Sequence, residues 1–216
     1  TLATPRGAAS GGAALPAQLA GVEQVSLFGG ASENLITVAG FAGSVLVDGA
    51  GGGDRVVLET AALGVVSVAD TGGSGRDTLR LRGTAQADTI TVDGQDVLSG
   101  DVSPVGSVFS GIEAVEIDGD DGADAIRVSA GTTVAVVVDG GAGGDIVRVF
   151  GGGSVRVVDS GPAASGGANV DSLVVPITAA VHADNQGFNL VNGTSVRYDG
   201  SIEQVVRNVG APTLDT

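Results

Sequence analysis

Five pairs of aspartates bracket short, small-residue segments along this chain: Asp48 and Asp54, Asp70 and Asp77, Asp118 and Asp124, Asp139 and Asp145, and Asp159 and Asp171. The residues between them read GAGGG, TGGSGR, GDDGA, GGAGG and a longer SGPAASGGANV. Carboxylates at both ends of a turn, with glycines free to aim backbone carbonyls inward, form the donor set of a hard cation. Calcium, which takes about six to eight oxygens in a flexible arrangement, suits such a turn best. The plainer alternative is an aspartate that hydrogen-bonds its own turn backbone while glycine supplies positive φ, with no metal at all.

The elements that must hold these turns are legible on either side. Asn34 leads into LITV, Asp54 into RVVL, Asp77 into TLRL, Asp88 into TITV, Asp124 into AIRV, Asp145 into IVRV and Asp171 into SLVV. The second and fourth residues after the acidic or amide position are always aliphatic. A spacing of two puts each pair on one face of a strand, with Thr37, Arg80, Thr91, Arg127 and Arg148 on the other. A mirrored pair precedes most turns, as in Val45 and Val47 or Val136 and Val138. Each unit therefore reads as strand, acidic turn, strand, plain turn.

Positions 34, 54, 77, 124, 145 and 171 are separated by 20, 23, 47, 21 and 26 residues, which sets a coil of 20 to 26 residues, the longest interval spanning two coils. A longer period appears in GVEQV, GIEAV and SIEQV, which place Glu23, Glu113 and Glu203 90 residues apart. A recurring strand pair with one apolar face buries that face by stacking on its neighbours. The expected fold is all-β, a parallel β-solenoid of the β-roll or β-helix kind, about nine coils making a rod on the order of 40 Å long. The expected organisation is an N-terminal linker or cap over 1–20, superrepeats over 21–110 and 111–200, and a third repeat or C-terminal cap from 201 to 216. The segments 96–111 and 182–200 are expected to form wider coils or protruding loops.

Stacked coils would set the paired aspartates in two columns along one edge of the rod. Neighbouring carboxylates about 5 Å apart repel by roughly 1 kcal/mol even in water. Such columns call for a counterion. Glu23, Glu113 and Glu203, by their recurrence, read as structural residues that close each superrepeat, and His182 reads as a surface residue in an irregular loop. The arginines Arg80, Arg127 and Arg148 are expected to form an outward column that offsets nearby acid.

The turns DGAGGGDRVVL, TGGSGRDTLRL and DGGAGGDIVRV resemble the hemolysin-type, or RTX, calcium-binding repeat GGxGxDxUx, where U is a large aliphatic. Asp54, Asp77, Asp124, Asp145 and Asp171 match its aspartate. The resemblance implies a secreted bacterial β-roll with calcium between stacked turns, folding outside the cell. Here, however, there is one acidic turn per coil, which is more similar to the calcium-bound solenoids of bacterial ice-binding adhesins. The Thr and Asn columns of an ice face are missing from GAGGGD and GGAGGD, so ice binding is disfavoured.

Composition limits the remaining classes. The net charge is −15, with 25 acidic residues against 10 basic ones, all arginine, so no basic stripe is present to neutralise nucleic-acid phosphates. There is no cysteine, hence no disulfide and no thiolate chemistry. No apolar run is long enough for a transmembrane helix. The expected function is a non-enzymatic structural segment of a secreted or cell-surface bacterial protein: an adhesin stalk, surface-layer or filament subunit, rigidified by calcium. Head-to-tail self-association and contact with a glycan or host surface are its expected partnerships. The competing expectation, a carbohydrate-binding or carbohydrate-processing β-helix, needs aromatic platforms. The chain has only Tyr198 and the scattered Phe28, Phe41, Phe109, Phe150 and Phe188.

Overall fold

The computed structural model describes residues 21–73, 75–99, 105–161, 171–176, 180–184, 187–190, 193–199, 201–202 and 204–208. The linker or cap expected over 1–20 lies outside the described residues, as does Glu203. Alternation of apolar and polar residues produces strands throughout. They are β1 (Gln24–Phe28), β2 (Leu35–Val38), β3 (Ser44–Asp48), β4 (Arg55–Glu59), β5 (Val66–Ala69), β6 (Thr78–Arg82), β7 (Thr89–Asp93), β8 (Asp96–Ser99) and β9 (Val105–Ser110). They continue with β10 (Ala114–Asp118), β11 (Ala125–Val128), β12 (Ala135–Asp139), β13 (Ile146–Val149), β14 (Ser154–Val158), β15 (Ser172–Pro176), β16 (Ala180–Asp184), β17 (Gly187–Leu190), β18 (Ser195–Tyr198) and β19 (Gln204–Asn208). No helix of the described residues is long and apolar enough to cross a membrane.

These strands form two largely parallel sheets, as a β-solenoid requires. The first has the order β1-β3-β5-β9-β8-β7-β11-β13-β15-β19 and the second β2-β4-β6-β10-β12-β14-β18-β17-β16. In-register pairing stacks like on like. One column in the second sheet runs Ile36, Val56, Leu79, Val115, Val136, Val155 and Val196. From Val56 onward its members are at most 1% exposed. Full burial of each such side chain is worth about 1.5–3 kcal/mol, so the apolar alternation is what holds the coils together.

Of the two forms expected for the segment 96–111, a wider coil or a protruding loop, its described strands take the first. β8 runs antiparallel between β7 and β9 inside the first sheet, because Val97 and Phe109 extend the apolar alternation and reach the core at 2% and 3% exposure. β17 does the same between β16 and β18 in the second sheet, so the described strands of the 182–200 segment are also paired into a sheet. His182 accordingly lies within a strand, β16, rather than in a loop.

The two sheets exchange roles along the chain. The order β1-β3-β5-β9-β8-β7 of the first sheet recurs as β10-β12-β14-β18-β17-β16 in the second, and β2-β4-β6 of the second recurs as β11-β13-β15 in the first. Each run has nine strands; the first ends with β7, β8 and β9 in the first sheet, and the second begins with β10 in the second sheet. A run places six strands in one sheet and three in the other, and the swap evens this out.

The swap corrects the expectation of two acidic columns along one edge. Call the first rim the edge where the chain passes from the first sheet to the second, and the second rim the opposite edge. The turns ending at Asn34, Asp54 and Asp77 lie on the first rim. Those ending at Asp88, Asp124, Asp145 and Asp171 lie on the second. The arginines separate for the same reason: Arg80 is on the second sheet, whereas Arg127 and Arg148 are neighbours on the first.

Candidate metal centre

The residue that closes each acidic turn is drawn into the stack by a backbone ladder. On the first rim, the Asn34 amide donates to Asp54 Oδ1 at 2.7 Å, the Asp54 amide to Asp77 Oδ1 at 2.6 Å, and the Asp77 amide to Glu113 Oε2 at 2.8 Å. On the second rim the amides of Asp88, Asp124 and Asp145 donate to the Oδ1 atoms of Asp124, Asp145 and Asp171, each at 2.8 Å. Glu113 ends the first ladder at the sheet swap, the structural role its recurrence implied.

This ladder buries the closing aspartates. Asp54, Asp77, Asp124, Asp145 and Asp171 are 1–4% exposed. Room for Asp54, Asp124 and Asp145 comes from a glycine five residues earlier, a G-x4-[DN] signal that the turns of Asn34 and Asp88 share. A Cβ on Gly29, Gly49, Gly83, Gly119 or Gly140 would come within 3.0 Å of the side-chain oxygen of Asn34, Asp54, Asp88, Asp124 or Asp145, respectively.

The second carboxylate oxygen sorts the turns into two kinds. In the turns closed by Asn34 and Asp88, the residue four positions earlier donates its backbone amide to that side chain: Gly30 to Asn34 Oδ1 and Thr84 to Asp88 Oδ2, both at 2.6 Å. The Thr84 hydroxyl adds a bond at 2.9 Å. These turns open with Phe28 and Arg82, not with an acid.

In the turns opened by Asp48, Asp118 and Asp139, the backbone passes through positive φ. Ala50, Asp120 and Gly141 have φ of 68°, 71° and 90°. The Ala50 amide goes to Asp48 Oδ1 at 3.1 Å and the Asp120 amide to Asp118 Oδ1 at 3.3 Å. Among the described residues, the buried Oδ2 atoms of Asp54, Asp124 and Asp145 are then left without a hydrogen-bond partner. A non-glycine residue at positive φ is strained by about 1–2 kcal/mol, so Ala50 and Asp120 pay twice, in backbone strain and in an orphaned oxygen nearby.

Burial raises the closing carboxylates. The Asp124 carboxyl is pushed up to about 7, first by desolvation and then by the charges of Asp145, Asp88 and Asp120, against the lowering effect of the Asp88 amide. Asp171 is pushed up to about 7, first by burial and then by Asp159 and Asp145. Asp54, Asp77 and Asp145 are raised, also chiefly by desolvation. Each of these groups is held as an anion only at a cost, unless a cation or proton joins it.

Two groups of three carboxylates converge between adjacent coils. Ligand oxygens of Asp54, Asp70 and Asp77 lie within 4.8 Å of one another, as do those of Asp145, Asp159 and Asp171. Two oxygens bound to one calcium at about 2.4 Å are at most about 5 Å apart, so this spacing fits a shared ion. The remaining aspartates of the predicted set are placed differently. Asp48 Oδ1 accepts the Thr71 amide of the next coil at 3.2 Å, and Asp139 Oδ1 accepts the Ser160 amide at 2.8 Å. Asp118 is paired with Arg80, and Asp120 with Arg82 at 3.3 Å, so the turn nearest the sheet swap already carries its own positive charge. Arg127 instead stacks over the Phe150 ring at 4.5 Å.

No family model matches this chain, and no curated protein matches it. The geometry of the turns therefore carries the functional reading.

Proposed function

We propose that this chain is a non-enzymatic structural rod, a segment of a secreted or cell-surface bacterial protein such as an adhesin stalk, surface-layer or filament subunit, whose paired-aspartate turns are clamped by calcium. The observation that carries the reading is the set of orphaned, buried Oδ2 atoms on Asp54, Asp124 and Asp145, which among the described residues occurs only in turns that a second aspartate opens. Magnesium fits less well, since its bonds of about 2.05 Å would require ligand oxygens within about 4.1 Å. Calcium would be held by Asp54, Asp70 and Asp77 on one rim and by Asp145, Asp159 and Asp171 on the other. There it would supply the positive charge that the protein provides elsewhere through Arg80 and Arg82. A rod with metal on both rims is braced on both sides, which resists bending in a stalk.

The test is thermal unfolding followed by circular dichroism, in millimolar calcium and after chelation. The expected result is a cooperative transition that calcium raises by 10 °C or more, roughly a few kcal/mol for a chain of this size. Coincident melts would leave a metal-independent solenoid and remove the calcium reading.

A further inference from the structure

The sheet swap makes the two ends of the stack complementary. β1 and β2 end their sheets, with no described strand on their outer side. Their counterparts in the second run, β10 and β11, are covered by β6 and β7. The difference is visible in burial. Val115, Ile117 and Ile126 of the covered strands are at most 1% exposed, whereas the equivalent Val25, Leu27 and Ile36 at the open end are only half-buried. Glu113 accepts the Asp77 amide across the covered junction, whereas the equivalent Glu23 is exposed. Among the described residues, the β1–β2 end is therefore a surface shaped for a coil like that of β6 and β7.

The counterparts of β6 and β7 in the second run are β15 and β16, at the other end of the same chain. β16 ends the second sheet, while β15 is covered by β19. β19 begins with Gln204 and Val205 and follows Glu203, as β1 begins with Gln24 and Val25 and follows Glu23. β19 thus stands where the β1 of another copy would stand. Its pairing of Leu173 with Val205 matches that of Leu79 with Val115 at the internal junction.

We propose that the β1–β2 end is a joint for a second copy of this chain. The incoming β1 replaces β19 on β15, the incoming β2 pairs with β16, and Glu23 accepts the backbone amide of Asp171 in the other copy, as Glu113 accepts that of Asp77. The joint reproduces the internal junction between the two runs, including its half-turn exchange of sheets. Each copy then contributes nine strands to each sheet, an axial repeat of about 43 Å at the usual strand spacing. This inference is independent of which cation fills the turns, since its apolar and backbone contacts do not involve one.

The test uses the full chain, heated through its melt and cooled at a series of concentrations so that β19 can exchange, then examined by sedimentation velocity and electron microscopy. The expected result is concentration-dependent end-to-end assembly into fibres with the 43 Å repeat. Glu23→Ala removes an exposed side chain and should leave the melting temperature of the monomer unchanged while weakening association at least tenfold. Val25→Asp should abolish association, with circular dichroism confirming that the rest of the stack is folded. A monomer at every concentration overturns the proposal, as does association that neither substitution diminishes.

Discussion

The turn closed by Asp54 and the turn closed by Asp88 are built on one plan with opposite outcomes. Both place a glycine five residues before the aspartate, and both closing residues send their backbone amides into the next coil's carboxylate. In the Asp88 turn, Thr84 satisfies the remaining oxygen twice over. In the Asp54 turn, Asp48 captures the Ala50 amide instead, and Asp54 Oδ2 is stranded. Between these two turns, the change from arginine to aspartate at the head goes with the loss of a protein partner for the closing carboxylate's Oδ2. A glycine-rich acidic turn is thus not by itself a metal site.

The largest test of this contrast is pH, applied to the metal-free chain. Asp124 and Asp171 have native values of about 7 against 3.8 for the unfolded chain, so between these limits the native state holds protons that the unfolded state has released. Their contribution to stability is complete below about pH 3.8 and is lost progressively as pH rises to 7, at up to about 1.4 kcal/mol per pH unit for each group. The chelated protein should therefore melt higher at pH 5 than at pH 8. Saturating calcium should shrink or reverse that order, because the metal favours the deprotonated carboxylates. Equal metal-free melts would mean that the buried oxygens are hydrated and unstrained.

Next in size is the glycine column. Gly119→Ala would drive a methyl group into the Asp124 carboxylate and the Gly140 carbonyl, and should lower stability by about 3 kcal/mol. Gly30→Ala has no atom within 4 Å of the new carbon and should change stability by less than about 0.5 kcal/mol. Denaturant midpoints of the two variants measure the difference directly.

A smaller but more pointed effect comes from amides in place of acids. Asn34 already serves in a turn of the self-satisfied kind, its Oδ1 accepting from Gly30 and its Nδ2 donating to the Glu33 carbonyl. Asp88→Asn should follow it and leave stability within about 0.5 kcal/mol, with or without calcium. Asp54→Asn keeps an acceptor for the Asn34 amide but removes a buried charge. Without metal at pH 8 it should stabilise by about 1–2 kcal/mol, while reducing the calcium-dependent gain. Paired melts of the two variants with and without calcium separate the turn types. If both responded alike, the opening aspartate would not matter.

Much of the architecture is legible in the alternation. Ile36, Val56, Leu79 and their successors mark an inward face wherever they occur, because a period of two admits no other arrangement of strands. The closing aspartates are also legible from their fixed place before each strand. What alternation does not encode is which sheet a strand joins. The apolar pattern of Val97 and Phe109 is equally compatible with a loose coil and with strands inserted in a sheet, and nothing in it marks that the acidic turns change rim between Asp77 and Asp88. The orphaned oxygens were hidden for a different reason. They depend on the peptide orientation at Ala50 and Asp120, and an alanine gives no sign in the sequence that it sits at positive φ.

The most direct test of the central claim is a calorimetric titration of calcium into the chelated chain near neutral pH. The account predicts saturable binding of at least two ions per chain, one for each carboxylate triad, with proton release as the raised carboxyls ionise. No saturable binding at millimolar calcium would contradict it, and would leave the turns of Asp54 and Asp145 completed by protons alone.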